Sequence, residues 1–337
     1  MNILVTGGAG YIGTHTCIKL IEAGHGIVAV DNYVNSKPEA VKRVREITKT
    51  DFPFYDADVC NAAALHKIFT ENKIDAVIHF AGLKAVGESV KIPLKYYDNN
   101  LTSTLVLLNT MAEFDVKNFV FSSSATVYGN PATVPLTEDF PLSTTNPYGT
   151  TKLMIEQILK DLWKADPSFN PVILRYFNPV GAHESGMIGE DPNGIPNNLV
   201  PYITQVAIGK LKRLSVYGGD YPTPDGTGVR DYIHVMDLAA GHVAALKKFE
   251  KPCGLQIYNL GTGHGYSVLD IVNAFRKATG REIPYDIVDR RPGDIPTCYA
   301  DPARAAEELG WKAEKTLDDM CTDSWRWQIQ NPNGYDR

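Results

Sequence analysis

Short apolar runs and longer amphipathic stretches alternate along the first half of the chain. The apolar runs are rich in β-branched residues, as in buried strands, and lie at residues 2–6, 27–31, 53–57, 76–80, 118–122 and 172–177. Helical stretches are predicted at 61–71, from 93 to about 113, and at 147–165, where Pro147 suits a first helical turn. Strands separated by helices predict an α/β fold with a Rossmann-type parallel sheet and helices on both faces.

The pattern loosens after residue 178. Gly, Pro and Asn are frequent from 181 to 201, which predicts a long ordered loop. A short strand at 214–217 and a polar insertion at 218–228 follow. Helices are predicted near 235–248, 267–278, 302–309 and 316–328. We therefore expect a Rossmann domain over 1–178, with returning segments around 230–262, and a smaller C-terminal α/β substrate lobe over 179–337.

Composition narrows the classes of partner. The 337-residue chain has a net charge of −6 and no basic run, which argues against nucleic acid. No segment reaches the roughly 18 unbroken apolar residues of a membrane helix. The first strand starts at residue 2, so we expect no signal peptide. The five cysteines are scattered without a C-x-x-C pair, which predicts a cytoplasmic protein with neither disulfide framework nor metal site: Cys17, Cys60, Cys253, Cys298 and Cys321.

A glycine cluster follows the first predicted strand. Gly8, Gly10 and Gly13 fit G-x-G-x-x-G, and Gly7 shares the last two glycines in G-x-x-G-x-x-G. Such glycines permit a tight turn, let backbone N–H groups approach a pyrophosphate and let a helix pack closely on the strand. Asp31 ends the second strand 18 residues after Gly13. A carboxylate there accepts hydrogen bonds from a ribose and repels a 2′-phosphate, so the sequence predicts NAD rather than NADP.

Ligands of open parallel sheets lie at the carboxyl ends of the strands. We therefore expect several strand-end residues to face one cleft: Asp31, Asp58, Phe80, Ser122 to Ser124 and Phe177.

Tyr148 and Lys152 form a Tyr-x-x-x-Lys pair at the start of a predicted helix, where the i, i+4 spacing places both side chains on one face. A phenolate base at neutral pH needs the pKa of tyrosine lowered by about 3 units, roughly 4 kcal/mol. One ammonium at about 4 Å supplies about that much at an effective dielectric constant near 20. Alone, such a pair is more often ordinary helix surface. Downstream of a dinucleotide turn and of Ser122-Ser-Ser124, a catalytic pair is favoured.

Longer segments carry a resemblance to a known family. The glycine turn and the Tyr148/Lys152 pair look like the extended short-chain dehydrogenase/reductase superfamily. Residues 80–89, 122–129, 175–182 and 225–235 closely resemble the UDP-glucose 4-epimerase family within it. The resemblance covers essentially the whole chain in order. It implies a reversible C4 epimerisation of UDP-glucose and UDP-galactose through a 4-keto sugar, with tightly bound NAD, and a homodimer that pairs helices 93–113 and 148–165 as a four-helix bundle.

The resemblance also implies roles for individual residues. Tyr148 would take the proton of the sugar 4-OH, Lys152 would hold the pKa of Tyr148 down and bind the nicotinamide ribose, and Ser124 would bond the 4-oxygen. The implied NAD contacts are Gly7, Gly10, Tyr11, Ile12, Gly13, Asp31, Asn32, Asn35, Ser36, Asp58, Val59, Phe80, Ala81, Gly82, Lys84, Asn99, Ser122, Tyr148, Lys152 and Phe177. The implied UDP-sugar contacts are Lys84, Ser124, Tyr148, Asn178, Asn198, Leu199, Ser215, Val216, Tyr217, Arg230, Arg291, Asp294 and Cys298.

Cys298 departs from the family pattern. Many relatives restricted to plain hexoses resemble one another in having a tyrosine at this position. A cysteine removes most of that ring, so we expect room for an N-acetyl group and activity on UDP-GlcNAc and UDP-GalNAc. Alternatively, Tyr299 refills the space, or Cys298 is a small packing residue.

Other functions and roles fit the motifs less well. A 4,6-dehydratase would need carboxylates near Thr126, where this chain has none. A decarboxylase would need an added cation for a uronic acid. A catalytically silent nucleotide sensor would not need Ser124, Tyr148 and Lys152. Arg230 and Arg291 could be surface ion pairs, Glu190 and Asp191 solvated acids, and His79 a core histidine.

Overall fold

Fourteen strands and eleven α-helices are found in the computed structural model, which describes residues 1–194, 196–291 and 293–336. The strands are β1 Asn2–Thr6, β2 Gly26–Asp31, β3 Phe54–Asp56, β4 Ala76–His79, β5 Asn118–Ser124, β6 Asn170–Tyr176, β7 Asn178–Val180, β8 Leu214–Tyr217, β9 Val229–Arg230, β10 Tyr232–His234, β11 Gln256–Leu260, β12 Tyr266–Ser267, β13 Tyr285–Val288 and β14 Thr297–Cys298. The helices are α1 Tyr11–Glu22, α2 Pro38–Thr48, α3 Ala62–Glu71, α4 Val86–Lys91, α5 Pro93–Glu113, α6 Pro147–Ala165, α7 Leu199–Ala207, α8 Val235–Leu246, α9 Val268–Thr279, α10 Ala303–Leu309 and α11 Leu317–Gln330. Residue 195 of the predicted loop and residues 292 and 337 of the predicted lobe lie outside the described residues.

A seven-stranded sheet forms the centre of the protein. Its order is β11-β6-β5-β4-β1-β2-β3, and every neighbouring pair is parallel. The predicted Rossmann-type sheet is confirmed. Because all its neighbours are parallel, the carboxyl ends of all seven strands lie at one edge, where the glycine turn follows β1.

The two faces of this sheet carry two separate apolar cores. Ile3 and Val5 belong to one core, with α1, α2 and α8, whereas Leu4 belongs to the other, with α3, α5 and α6. This division follows from the two-residue period of a strand, which sends neighbouring side chains to opposite faces. Burial on both faces explains why the strands are almost entirely apolar.

After β6 the chain forms part of a second region and then returns to this sheet. β11 pairs with β6 at the sheet edge, and α8 packs on α1. The second region contains the two-stranded β13-β8 sheet, the three-stranded β12-β9-β14 sheet, and a core between α7, α9 and α11. The division of the chain into a cofactor domain and a substrate lobe stays a prediction. Within the described ranges, none of the helices combines the length and apolar character needed to cross a bilayer.

Candidate functional site

The turn between β1 and α1 is closed by glycines. Gly7 has φ +69°, and a Cβ atom there would lie 2.9 Å from the backbone nitrogen of Ala81. A Cβ atom on Gly13 would overlap the carbonyl oxygen of Gly7. Gly10 precedes α1, and no side chain caps this helix end. The first-turn N–H groups therefore stay available to an anionic group, as a dinucleotide pyrophosphate requires.

Asp31 faces the same turn from the end of β2. One carboxylate oxygen accepts a hydrogen bond from Ala9 N–H at 3.1 Å, and the other accepts from Tyr33 N–H at 2.9 Å and the Ser36 hydroxyl at 2.7 Å. These bonds fix the carboxylate, which is only 8% exposed, at the cavity wall. A fixed acceptor at this point suits the hydroxyl groups of a ribose.

A cavity of about 530 Å³ extends along the carboxyl edge of the sheet, from the glycine turn to Tyr148 and Lys152. Every residue predicted to contact NAD lines it except Phe177. Phe177 packs instead in a small apolar cluster with Val127, Tyr128 and Cys298. The glycine turn, the uncapped helix end and the fixed Asp31 carboxylate all fit an NAD molecule, which would lie along this cavity.

Tyr148 and Lys152 lie in the first two turns of α6. Asn146 caps this helix by accepting a hydrogen bond from Gly149 N–H at 2.8 Å, and Pro147 starts it. Tyr148 is hydrogen-bonded to Ser124. The Lys152 ammonium donates to the carbonyl oxygen of Ser122 at 2.7 Å and lies 5.9 Å from the centroid of the Tyr148 ring. The cap and two strand-end residues therefore fix both side chains at the cavity.

The pKa of Tyr148 differs from the sequence prediction. Burial raises it to about 12, and the hydrogen bond with Ser124 opposes this rise only in part. Burial also lowers the pKa of Lys152 to about 8. The expected lowering of the Tyr148 pKa by the adjacent ammonium is therefore wrong, because burial of the phenol has the largest effect on it. A further positive charge is needed to form the phenolate.

The predicted uracil contacts lie on β8. In the parallel pairing of β8 with β13, Ser215 lies opposite Asp286, Val216 opposite Ile287 and Tyr217 opposite Val288. Val216 is 1% exposed and packs in the core, whereas Ser215 is half-buried and Tyr217 is exposed. The Arg291 guanidinium carbon lies 3.9 Å from the centroid of the Tyr217 ring. Arg291 and Tyr217 therefore form one surface.

The remaining predicted substrate contacts come from several elements. Arg230 lies 4.0 Å from Asp294 and donates to the carbonyl oxygen of Val229 at 2.8 Å. Asn178 begins β7 and is exposed. Asn198 and Leu199 stand at the start of α7, where Asn198 donates to Glu190 at 2.6 Å. Of the UDP-sugar set, Lys84, Tyr148 and Asn198 line the 530 Å³ cavity.

Cys298 is buried beside Phe177. It is 7% exposed and packs with Val127, Tyr128 and Leu136, and burial raises the pKa of its thiol to about 11. Tyr299 lies elsewhere: a Cβ atom on Gly265 would be 3.2 Å from its ring.

Several residues that the sequence did not assign to the site also line the cavity, among them Tyr176, Glu190 and Tyr335. Glu190 is not a solvated acid, because its side chain is 10% exposed and accepts from both Lys84, at 3.2 Å, and Asn198. Tyr176 is hydrogen-bonded to Ser122, and Tyr335 lies near the other end of the chain. Each depends on contacts between distant parts of the chain, which no local pattern indicates.

Comparisons with known proteins agree with this geometry. Residues 3–261 match the NAD dependent epimerase/dehydratase family. A UDP-glucose 4-epimerase from Bacillus subtilis is 65% identical over 335 residues, which cover 99% of each chain.

Solved structures agree as well. The UDP-glucose 4-epimerase from Bifidobacterium longum, solved in complex with NAD⁺ and UDP, is 61% identical, with a TM-score of 0.97 over 99% of this chain and 100% of that one. The UDP-Glc/GlcNAc 4-epimerase from Campylobacter jejuni is 35% identical, with a TM-score of 0.84 over 98% and 99% of the two chains. The chain belongs to the NAD dependent epimerase/dehydratase family and, within it, to the UDP-glucose 4-epimerase group.

Proposed function

We propose that this enzyme interconverts UDP-glucose and UDP-galactose by epimerisation at C4, through a 4-keto sugar, with NAD held tightly. The observation that carries the proposal is the meeting of Tyr148 and Lys152 with the glycine turn and Asp31 along one cavity. A base beside a dinucleotide site suits the oxidation of a sugar hydroxyl. The similarity to UDP-glucose 4-epimerases over nearly the whole chain supports this substrate.

NAD, when bound, supplies the hydride acceptor for C4 and, in reduced form, returns that hydride. The first-turn N–H groups of Tyr11 and Ile12 would hold its pyrophosphate, and Asp31 its adenosine ribose. Asn32 and Asp58, joined by a 3.0 Å hydrogen bond, extend the wall on the adenosine side. Epimerisation regenerates the cofactor in every cycle. If the cofactor dissociated in its reduced form, the 4-keto sugar would have no hydride donor and the reaction could not be completed. Tight retention is therefore part of the proposal.

Tyr148 removes the proton of the sugar 4-OH. From a pKa of about 12, forming the phenolate at pH 7 requires about 7 kcal/mol. Nearby positive charge lowers this free energy. It comes from the N-terminal end of α6, from the ammonium of Lys152 and, when NAD⁺ is bound, from the oxidised cofactor. Ser124 keeps a hydroxyl at hydrogen-bonding distance from Tyr148, where it can bond the 4-oxygen.

The UDP part of the substrate is assigned to the second region. Ser215 to Tyr217 would cover the uracil, Arg230 and Arg291 would bind the diphosphate by charge-assisted hydrogen bonds, and Asp294 the uridine ribose. Asn178, Asn198, Leu199 and Lys84 would contact the remaining parts of the sugar nucleotide. Arg230 is only 4.0 Å from Asp294, which supports a shared site rather than scattered surface charges.

A coupled assay tests the proposed function. Purified protein shown to contain NAD is incubated with UDP-galactose, UDP-glucose dehydrogenase and external NAD, and NADH is followed by absorbance. We expect NADH formation in proportion to enzyme. Its absence from cofactor-loaded protein would contradict the activity and favour a silent sensor.

We further propose that the enzyme also acts on UDP-GlcNAc and UDP-GalNAc. The small Cys298 side chain lies in the cluster that contains Phe177, and Tyr299 points toward Gly265 and does not fill this space. A tyrosine at position 298 would add a ring to this cluster, which supports a sugar pocket made wider by the cysteine. The C. jejuni relative, described as a UDP-Glc/GlcNAc 4-epimerase, shows that such a pairing of substrates occurs on this fold.

Replacing Cys298 by tyrosine is expected to lower kcat/KM for the N-acetyl sugars by about 10- to 200-fold, because the ring fills the space of the N-acetyl group. Activity on the plain hexoses should change little. Cys298→Ser, which keeps the small volume, serves as the control. Both sugar pairs are assayed on each variant, and equal N-acetyl rates in wild type and C298Y would refute this part of the proposal.

We also propose a homodimer formed by α5 and α6. These helices pack together and expose four large apolar side chains: Leu94 81%, Leu105 45%, Met154 45% and Leu162 38%. Light scattering at micromolar concentration should give twice the 37.1 kDa chain mass. The double substitution L105K/M154K should shift the protein toward monomer, whereas I329K, at an exposed apolar position elsewhere, should not. A wild-type monomer would contradict the dimer.

We also propose a cytoplasmic location. All five cysteines are free thiols, and three of them are buried. Free thiols persist in a reducing compartment. Fractionation of the native cells with an antibody tests this location.

A further inference from the structure

The backbone changes from one small sheet to another at Asp231. β9 ends at Arg230 and pairs with β14, and β10 begins at Tyr232 and pairs with β7. The N–H of Asp231 donates to the carbonyl oxygen of Cys298, and its own carbonyl oxygen accepts from Asn178 N–H, both at 3.0 Å. Three proposed substrate contacts, Asn178, Arg230 and Cys298, therefore meet at one residue.

The Asp231 carboxylate is fully buried and accepts four hydrogen bonds. Thr262 donates to one oxygen through its N–H, at 2.9 Å, and its hydroxyl, at 2.6 Å. The N–H groups of Gly263 and Ala300 donate to the other oxygen, each at 3.1 Å. Thr262 and Gly263 follow β11, an edge strand of the cofactor-binding sheet, and Ala300 follows β14. The carboxylate thus connects the substrate contacts to the sheet that carries the dinucleotide site.

The surroundings of this carboxylate leave little room for rearrangement. A Cβ atom on Gly261 would lie 2.5 Å from an oxygen of Asp231 and 2.7 Å from Cβ of Ala300. All four donors are neutral groups, and hydrogen bonds to an ionised acceptor are about twice as strong as neutral ones. The side-chain amide of an asparagine at position 231 would direct its N–H groups toward one of the two pairs of donors. The backbone between β9 and β10 would then have to move.

We propose that Asp231 is a positioning residue for the UDP-sugar: its four hydrogen bonds fix Asn178, Arg230 and Cys298 relative to the cofactor-binding sheet. The inference rests on the proposed function and deepens it. Asp231 touches neither the reacting atoms nor the cofactor cavity, so it acts through its neighbours. Its loss should weaken substrate binding more than it slows the chemical step.

Asp231→Asn tests this role in NAD-loaded protein. We expect the Kd for UDP, measured by calorimetry, and the KM for UDP-galactose each to rise about tenfold or more, with kcat and bound NAD nearly unchanged. Asp237→Asn is the matched control. Asp237 is also buried and accepts backbone N–H groups, of Glu314 at 3.0 Å and Lys315 at 2.8 Å, but it bonds none of the substrate contacts. It should lose stability without a change in UDP affinity.

A milder pair of variants covers the case in which D231N does not fold. Thr262→Val removes one of the four donors and should weaken UDP binding severalfold, whereas Thr262→Ser keeps the hydroxyl and should restore it. Wild-type UDP affinity in D231N or T262V would overturn the inference, as would equal weakening in D237N. Failure of wild-type protein to bind UDP would instead overturn the proposed function itself.

Discussion

Replacing Tyr148 by phenylalanine is expected to lower kcat by about a thousandfold, within the 10²–10⁴ range of a positioned general base. The substitution removes only the hydroxyl that is hydrogen-bonded to Ser124, at the base of the cavity. The ring and its packing remain, so NAD content and UDP affinity should stay near wild type. The rate is measured by the coupled assay, and NAD by absorbance of the denatured protein.

A matched variant separates this effect from a general loss of stability. Tyr55→Phe also removes a hydrogen-bonded hydroxyl, one that donates to Glu71 at 2.8 Å, but outside the site. It should retain full activity. A fully active Tyr148→Phe enzyme would show that another group removes the proton.

Replacing Gly13 by alanine is expected to lower the affinity for NAD at least about a hundredfold and to yield protein purified without cofactor. The added Cβ atom would overlap the carbonyl oxygen of Gly7, so α1 must shift away from the turn. That shift displaces the N–H groups that receive the pyrophosphate. Bound NAD is quantified after purification, and its affinity is measured by titration.

Gly87→Ala is the control for the glycine substitution. Gly87 lies in α4, where an added Cβ atom meets no atom within 4 Å. Alanine there should raise helix stability by up to about 1 kcal/mol and leave cofactor content unchanged. NAD retained equally by Gly13→Ala and wild type would contradict the assigned pyrophosphate site.

The features that sequence predicted well are local ones. The turn from β1 into α1 lies within about a dozen residues. Its glycines are required because a Cβ atom on Gly7 or Gly13 would clash with the backbone. Strands β1 to β6 and helices α5 and α6 follow from the apolar period and from Pro147. His79 was also interpreted correctly as a core residue, since it bonds Thr6 at 2.7 Å and Thr104 at 3.1 Å.

The features that sequence missed depend on distant contacts. Glu190 appears solvent-facing along the chain but is enclosed by Lys84 and Asn198, and the pairing of β11 with β6 joins residues about 80 positions apart. The pKa of Tyr148 was predicted in the wrong direction because spacing reveals an adjacent lysine but not the burial of the phenol. Strands of two residues, such as β9 and β14, are too short to show an apolar–polar alternation in the sequence. They are defined by their pairing with each other.

The origin of the hydrogen at C4 tests the central claim most directly. A hydride removed from C4 and returned to it within one active site never exchanges with solvent, whereas removal of C4 hydrogen as a proton would exchange it. UDP-galactose is therefore converted to UDP-glucose in D₂O, and the product is examined by proton NMR. We predict full retention of protium at C4 after many turnovers, and deuterium at C4 would contradict the account.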